Sequence, residues 1–142
     1  MELCRWTVRA ARKHDRRLFV RLVKGAYWDA EIKLSQVAGH TDYPVFTRKI
    51  ATDVSYLACA RELLKADDVI FPAFATHNAY TIGAIKALAN DIGVRAYEFQ
   101  RLHGMGEEVY DTLAQLEGND LTTVRIYAPV GGHKELLAYL VR

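Results

Sequence analysis

The chain has 142 residues, 51% of them apolar and 25% charged, a composition that fits one globular domain and is too short for two full ones. Lys and Arg total 19 against 17 Asp and Glu, so the net charge of +2 excludes the strong basic excess of a dedicated nucleic-acid binder. No apolar run approaches the ~20 residues of a membrane span, the opening Met1-Glu2-Leu3-Cys4-Arg5-Trp6 has no apolar signal core, and Cys4 and Cys59 lack disulfide-scaffold or zinc spacing, so the expectation is a cytoplasmic protein with reduced thiols.

In chain order, residues 2–14 read as a helix, with Leu3, Trp6, Val8 and Ala10 set among basic residues. Arg5, Arg9, Arg12, Lys13, Arg16 and Arg17 read as its solvated outer face. Residues 17–24 form a strand-like run ended by Gly25, and residues 27–37 read as a helix before a loop marked by Gly39 and Tyr43-Pro44. A longer helix is expected over 47–65, with Val54, Leu57, Ala58, Arg61 and Leu64 at mixed three- and four-residue spacing. Residues 69–75 read as a second strand and 78–90 as a helix with Ile82, Ile85 and Leu88 on one side. A third strand over 94–102 precedes a helix over 107–116 and a turn at Gly118-Asn119-Asp120. The fourth strand is expected over 124–128 and a last helix over 132–142.

Strands separated by helices predict an α/β fold of parallel strands joined by right-handed crossovers. Two architectures fit: a small open sheet covered on both faces, or half of an eight-stranded barrel. No repeat, low-complexity tract or linker interrupts residues 1–142, so no internal boundary is expected. Leu136-Leu137-Ala138-Tyr139-Leu140-Val141-Arg142 carries neither a glycine cap nor a polar tail, which reads as a fragment ending inside a helix.

Polar residues inside these strands need a reason. Arg21 interrupts the first strand, Glu98 and Gln100 share one face of the third, and Arg125 and Tyr127 share one face of the fourth. They form either a structural ion-pair layer, Arg21 or Arg125 with Glu98, or the floor of a ligand cavity. Ligands of parallel α/β folds sit at the C-terminal strand ends. There the sequence places Lys24-Gly25-Ala26-Tyr27-Trp28, Thr76-His77-Asn78, Leu102-His103-Gly104 and Pro129-Val130-Gly131-Gly132-His133. Lys24 offers charge to a phosphate, Gly25 permits close backbone approach, and Trp28 offers either a flat face for a ring or a packing residue. His77, His103 and His133 fall at successive strand ends; each alone reads as a cap or loop hydrogen-bonder, and together they make a metal-dependent hydrolase or isomerase the alternative. Glu135, Tyr139 and Arg142 share a helix face, which with Tyr127 suits a small carboxylate ligand, or else a solvated charged face.

Several longer blocks are more specific. Arg21-Leu22-Val23-Lys24-Gly25-Ala26-Tyr27-Trp28-Asp29, Tyr43-Pro44-Val45-Phe46-Thr47-Arg48-Lys49 and Thr52-Asp53-Val54-Ser55-Tyr56-Leu57-Ala58-Cys59-Ala60 are followed by Phe74-Ala75-Thr76-His77-Asn78. Tyr97-Glu98-Phe99-Gln100-Arg101-Leu102-His103-Gly104-Met105-Gly106 and Arg125-Ile126-Tyr127-Ala128-Pro129-Val130-Gly131 complete the series. Taken in this order, they resemble the proline dehydrogenase domain of the bifunctional flavoenzymes called proline utilization A. The resemblance implies a distorted (β/α)8 barrel that binds FAD, of which this chain supplies the later half, about four β/α units. It places Arg21 beside the flavin, with Lys24, Gly25, Ala26, Trp28, Thr76, His77 and Gln100 lining the cofactor. It places Tyr27, Leu102, Tyr127, Tyr139 and Arg142 around proline, with Arg21, Tyr127 and Arg142 in catalytic roles.

The implied reaction is FAD-dependent oxidation of L-proline to Δ1-pyrroline-5-carboxylate, on the route from proline to glutamate. Its electrons go to a membrane quinone, which implies peripheral attachment to the inner membrane. The family pattern has a second Arg directly after the position of Arg142, and a Lys and an Asp from the first half of the barrel, that this sequence does not contain. The further expectation is that the chain alone is inactive, binds FAD weakly and dimerises or aggregates through its open edges. A non-catalytic half-barrel is the remaining alternative.

Overall fold

The computed structural model describes residues 1–25, 27–118, 122–132 and 136. Helices α1 (Glu2–Lys13), α2 (Trp28–Val37), α3 (Lys49–Leu64), α4 (Ala79–Ile92) and α5 (Glu107–Glu117) alternate with strands β1 (Leu18–Val23), β2 (Ile70–Ala75), β3 (Glu98–Leu102) and β4 (Thr123–Tyr127). The strands pair side by side in chain order and all run parallel, as helical crossovers require. Arg21, Ala73, Glu98 and Thr123 form one row across the sheet, and Leu22, Phe74, Phe99 and Val124 form the next.

These two rows point to opposite faces. The second row enters a core with Tyr56, Ala60 and Leu64 of α3, Ile82, Ile85 and Ala89 of α4, and Tyr110 of α5. A second core joins Val8 and Ala11 of α1 to Leu63, Ala66 and Ile70, with Leu18 and Val20 packed against it. Both cores lie on one side of the sheet. The other side carries Phe19, Arg21 and Val23, all exposed, and among the described residues no core covers it. Of the two architectures the sequence allows, this is the barrel segment, with helices outside only; the doubly covered open sheet is not what forms.

Two helix faces differ from the expected ones. On α3 the buried residues are Tyr56, Cys59, Ala60, Leu63 and Leu64, while Val54 is exposed. Apolar residues surround much of α3, and the small Cys59 and Ala60 decide which side approaches its neighbours. On α1 the buried residues are Val8 and Ala11, with Cys4 one turn earlier, while Leu3 and Trp6 are exposed. Both cysteines are free, and burial together with the Cys59 thiol pushes the Cys4 thiol up to about 11. The basic face of α1 is partly neutralised, Arg5 pairing with Glu62 and Arg12 with Asp68, both at 2.9 Å.

The third strand starts at Glu98, four residues later than expected. Pro72 has no amide hydrogen to donate, and the β2–β3 ladder begins just after it at Ala73. Helix α4 starts where expected because Asn78 Oδ1 accepts the Thr81 amide at 2.9 Å, and it stops at Gly93, whose φ of +85° few other residues tolerate. The expected turn at Asn119-Asp120 lies outside the described residues. So does most of the helix expected over 132–142; within it, the Leu136 amide donates to the Gly132 carbonyl at 3.2 Å.

Candidate active site

The C-terminal ends of all four strands meet at a concavity of about 1010 Å³. Arg21, Lys24, Gly25 and Tyr27 reach it from β1 and the turn after it, and Thr76 and His77 from the end of β2. Gln100 and Leu102 reach it from β3 and Tyr127 from β4. Nine of the residues expected at the site are therefore together. Trp28 borders an adjoining hollow of about 450 Å³ shared with Lys24 and Gly25, and its indole donates to the Phe46 carbonyl at 2.9 Å, fixing the loop before α3. Ala26, His133, Glu135, Tyr139 and Arg142 lie outside the described residues.

The floor is a chain of polar contacts across the sheet. Arg125 donates to both oxygens of Glu98, at 2.7 and 3.0 Å. Glu98 Oε1 also accepts from Gln100 Nε2 at 2.8 Å, and Gln100 Oε1 accepts from Arg21 Nε at 2.8 Å. The Arg21 guanidinium lies over the Tyr127 ring, 5.2 Å from its centroid. Glu98 is only 2% exposed, and the hydrogen bond from Arg125 holds its carboxyl below the usual range. Of the two open ion-pair readings, Arg125 takes Glu98, while Arg21 turns to Gln100. The layer thus serves both readings: Glu98 and Arg125 make a structural ion pair, and Arg21 and Gln100 line the cavity. Two arginines and one glutamate leave it one positive charge.

At the rim, Lys24 is held by Asp53, Thr81 and Tyr56, to which sequence reasoning assigned no role at the site. Lys24 Nζ donates to Asp53 Oδ1 at 2.7 Å and to Thr81 Oγ1 at 3.2 Å, and lies 5.3 Å from the Tyr56 ring centroid. Lys49 takes the other Asp53 oxygen at 2.6 Å, and the two lysines hold the Asp53 carboxyl below its ordinary range. Tyr56 is driven upward by burial, and its hydroxyl sits 3.3 Å from the Leu22 carbonyl. The i,i+4 spacing of Lys49 and Asp53 was a visible signal; the link to Lys24 required the fold.

Thr76 and His77 serve the backbone. Thr76 Oγ1 accepts the Asn78 amide at 3.1 Å, and the Thr76 carbonyl accepts the Tyr110 hydroxyl at 2.8 Å. His77 Nε2 accepts the Leu102 amide at 3.0 Å, so the ring is neutral with its proton on Nδ1. Burial, then the nearby charge of Arg101, lowers its pKa. That bond occupies the Nε2 lone pair a metal would need, and no three His, Cys, Asp or Glu among the described residues are grouped to hold a metal. For the metal-dependent hydrolase or isomerase built on His77, His103 and His133, His77 thus offers no free Nε2 lone pair, and His133 lies outside the described residues. A methyl at Gly106, whose φ is +68°, would come within 3.1 Å of His77 Cδ2, so Gly106 keeps that ring in place.

These residues fit a flavin. Arg21 Nε is committed to Gln100, and its terminal nitrogens have no hydrogen-bond partner among the described residues. A side chain at Gly25 would meet no described atom within 4 Å, so protein packing does not explain the glycine, while a bound ring system in the concavity would. Leu102 and Tyr127 add apolar surface beside that donor.

The proline dehydrogenase family profile matches residues 1–142. The bifunctional protein PutA of Klebsiella aerogenes is 56% identical over 135 residues, covering 93% of this chain and 10% of that protein. Proline utilization A of Bradyrhizobium japonicum superposes with a TM-score of 0.89 at 54% identity, over 99% of this chain and 14% of that one. Proline utilization A of Bdellovibrio bacteriovorus, solved after inactivation by N-propargylglycine, superposes with a TM-score of 0.91 at 38% identity, again over 99% and 14%. The chain spans about a tenth of the length of the bifunctional PutA relatives it matches.

Proposed function

The chain belongs to the proline dehydrogenase family, and from that premise we propose that, within a complete barrel, it takes part in oxidising L-proline to Δ1-pyrroline-5-carboxylate with FAD. The observation that carries this reading is the gathering of Arg21, Lys24, Gly25, Tyr27, Thr76, His77, Gln100, Leu102 and Tyr127 on one concavity. The relative inactivated by N-propargylglycine adds support, because that molecule, like proline, is a secondary amine bearing a carboxylate.

The oxidation takes a hydride from C5 of proline and a proton from its ring nitrogen, leaving a double bond between them. Flavin, when bound, supplies the two-electron acceptor. Arg21, held in direction by Gln100 and the Tyr127 ring, would provide a fixed positive charge to it. Lys24, Gly25 and Trp28 would hold the cofactor at the rim, where the family resemblance also assigns Ala26, and Thr76 and His77 would line the wall between β2 and β3. Leu102, Tyr27 and Tyr127 would wall the pyrrolidine ring; the family resemblance assigns Tyr139 to the same ring and Arg142 to the carboxylate.

Electrons leave to a membrane quinone from a cytoplasmic protein attached peripherally to the inner membrane. Among the described residues no helix is long and apolar enough to cross a membrane. The 142 residues form four β/α units of a barrel domain and alone neither oxidise proline nor hold FAD firmly. The edges of β1 and β4 and the apolar part of the open face, Phe19 and Val23, favour self-association. The test is an absorbance titration of a full-length barrel carrying this chain. Retained flavin that bleaches on adding proline is expected; flavin that does not bleach with proline, or is not retained, overturns the reading.

A further inference from the structure

We propose that Glu98 and Arg125 are positioning residues for Arg21, acting through the side-chain amide of Gln100. The inference rests on the functional reading above and adds to it two residues that do not line the concavity.

The amide of Gln100 has two ends, and each is assigned by its neighbour. Arg21 can only donate, so it requires the amide oxygen. The Glu98 carboxylate can only accept, so it requires the amide nitrogen. Arg125 holds both Glu98 oxygens and fixes the plane of that carboxylate. Direction therefore passes from β4 to β3 and on to β1, and it ends at Arg21 Nε.

The connection has to cross β2. Arg21 lies in register with Ala73, and Ala73 with Glu98; Ala75 lies in register with Gln100. These alanines are the only β2 side chains between Arg21 and β3 on that face, and both are buried. Their small size lets the arginine lie across the strand. Without the anchor, a long exposed side chain regains most of its rotamers. Its charge would then be spread over the open face instead of fixed at the floor of the concavity.

The experiment uses a complete barrel carrying this chain, labelled with 15N-arginine. The first readout is solvent exchange of the Arg21 Nε–H in cofactor-free protein. The second is the rate of flavin reduction by proline, with Glu98→Gln, Arg21→Met and the pair combined. Glu98→Gln is expected to speed Nε–H exchange and to slow reduction about tenfold, the scale of one lost orienting hydrogen bond. In the Arg21→Met background Glu98→Gln is expected to cause no further loss. Unchanged exchange in Glu98→Gln, or losses that simply add, overturns the inference. If wild-type flavin is not reduced by proline, the functional reading falls, and the exchange readout still decides the positioning role. If Glu98→Gln fails to fold, Arg125→Gln, at the exposed end of the chain of contacts, carries the same two readouts.

Discussion

The two faces of the sheet are one residue apart in sequence and have opposite chemistry. Leu22, Phe74, Phe99 and Val124 cross the covered face, where Phe74 and Phe99 have ring centroids 6.2 Å apart. On the open face, the next row C-terminal to it holds Val23, Ala75, Gln100 and Arg125. Strand alternation makes this possible: a side chain on one face can change without moving its neighbour on the other. The apolar core is thereby concentrated in the covered rows and the chain of polar contacts in the open ones.

The largest stability loss is expected on the covered face. Phe74 is fully buried, and Phe74→Ala should cost about 3–5 kcal/mol in denaturant unfolding. A loss below ~1 kcal/mol would break the comparison, since it would mean that this core is not what holds the sheet.

Gly106 sits at the seam of the two regions and sharpens the contrast. Gly106→Ala forces a side chain into a left-handed conformation and against His77, for an expected loss of about 1–2 kcal/mol. The same change should displace His77 from the Leu102 amide and weaken flavin retention, which fluorescence titration would detect. Unaltered flavin affinity would confine His77 to the fold.

A smaller effect is expected from acid. The Glu98 and Asp53 carboxyls are both held below their ordinary values in the folded chain, chiefly by Arg125 and by Lys24 with Lys49. Their contribution is present above the unfolded carboxylate pKa of about 4 and is lost as pH falls through the lower folded values. Urea midpoints should therefore drop below pH ~4 more steeply in the parent than in Glu98→Gln. Parallel curves would show that Glu98 gives no stability through its charge.

Element order was legible because strand-like and helical patterns alternated and were separated at Gly25, Gly39 and Tyr43-Pro44. The faces of α1 and α3 were not, because Trp6, Leu3 and Val54 are as apolar as the residues actually buried. Which arginine pairs with Glu98 was equally hidden: both alternate onto the open face, and the answer depends on strand order and on the small side chains of β2. The Lys24–Asp53 bond joins positions 29 residues apart that no periodicity connects. The flavin and proline roles came from the resemblance of whole sequence blocks, since the residues alone reached a polar cavity suited to a phosphate or a small carboxylate without identifying either ligand.

The smallest stability effect is expected at Arg21, the exposed residue on which the functional reading depends most. The decisive measurement is a pair made on Arg21→Met in a complete barrel: the urea midpoint and the rate of proline-dependent flavin reduction. The midpoint is expected within about 0.5 kcal/mol of the parent, and the rate lower by about 10²–10³ because a fixed charge beside the reacting centre is gone. A lowered midpoint with an unaltered rate would contradict this, and would make Arg21 a structural residue of the sheet.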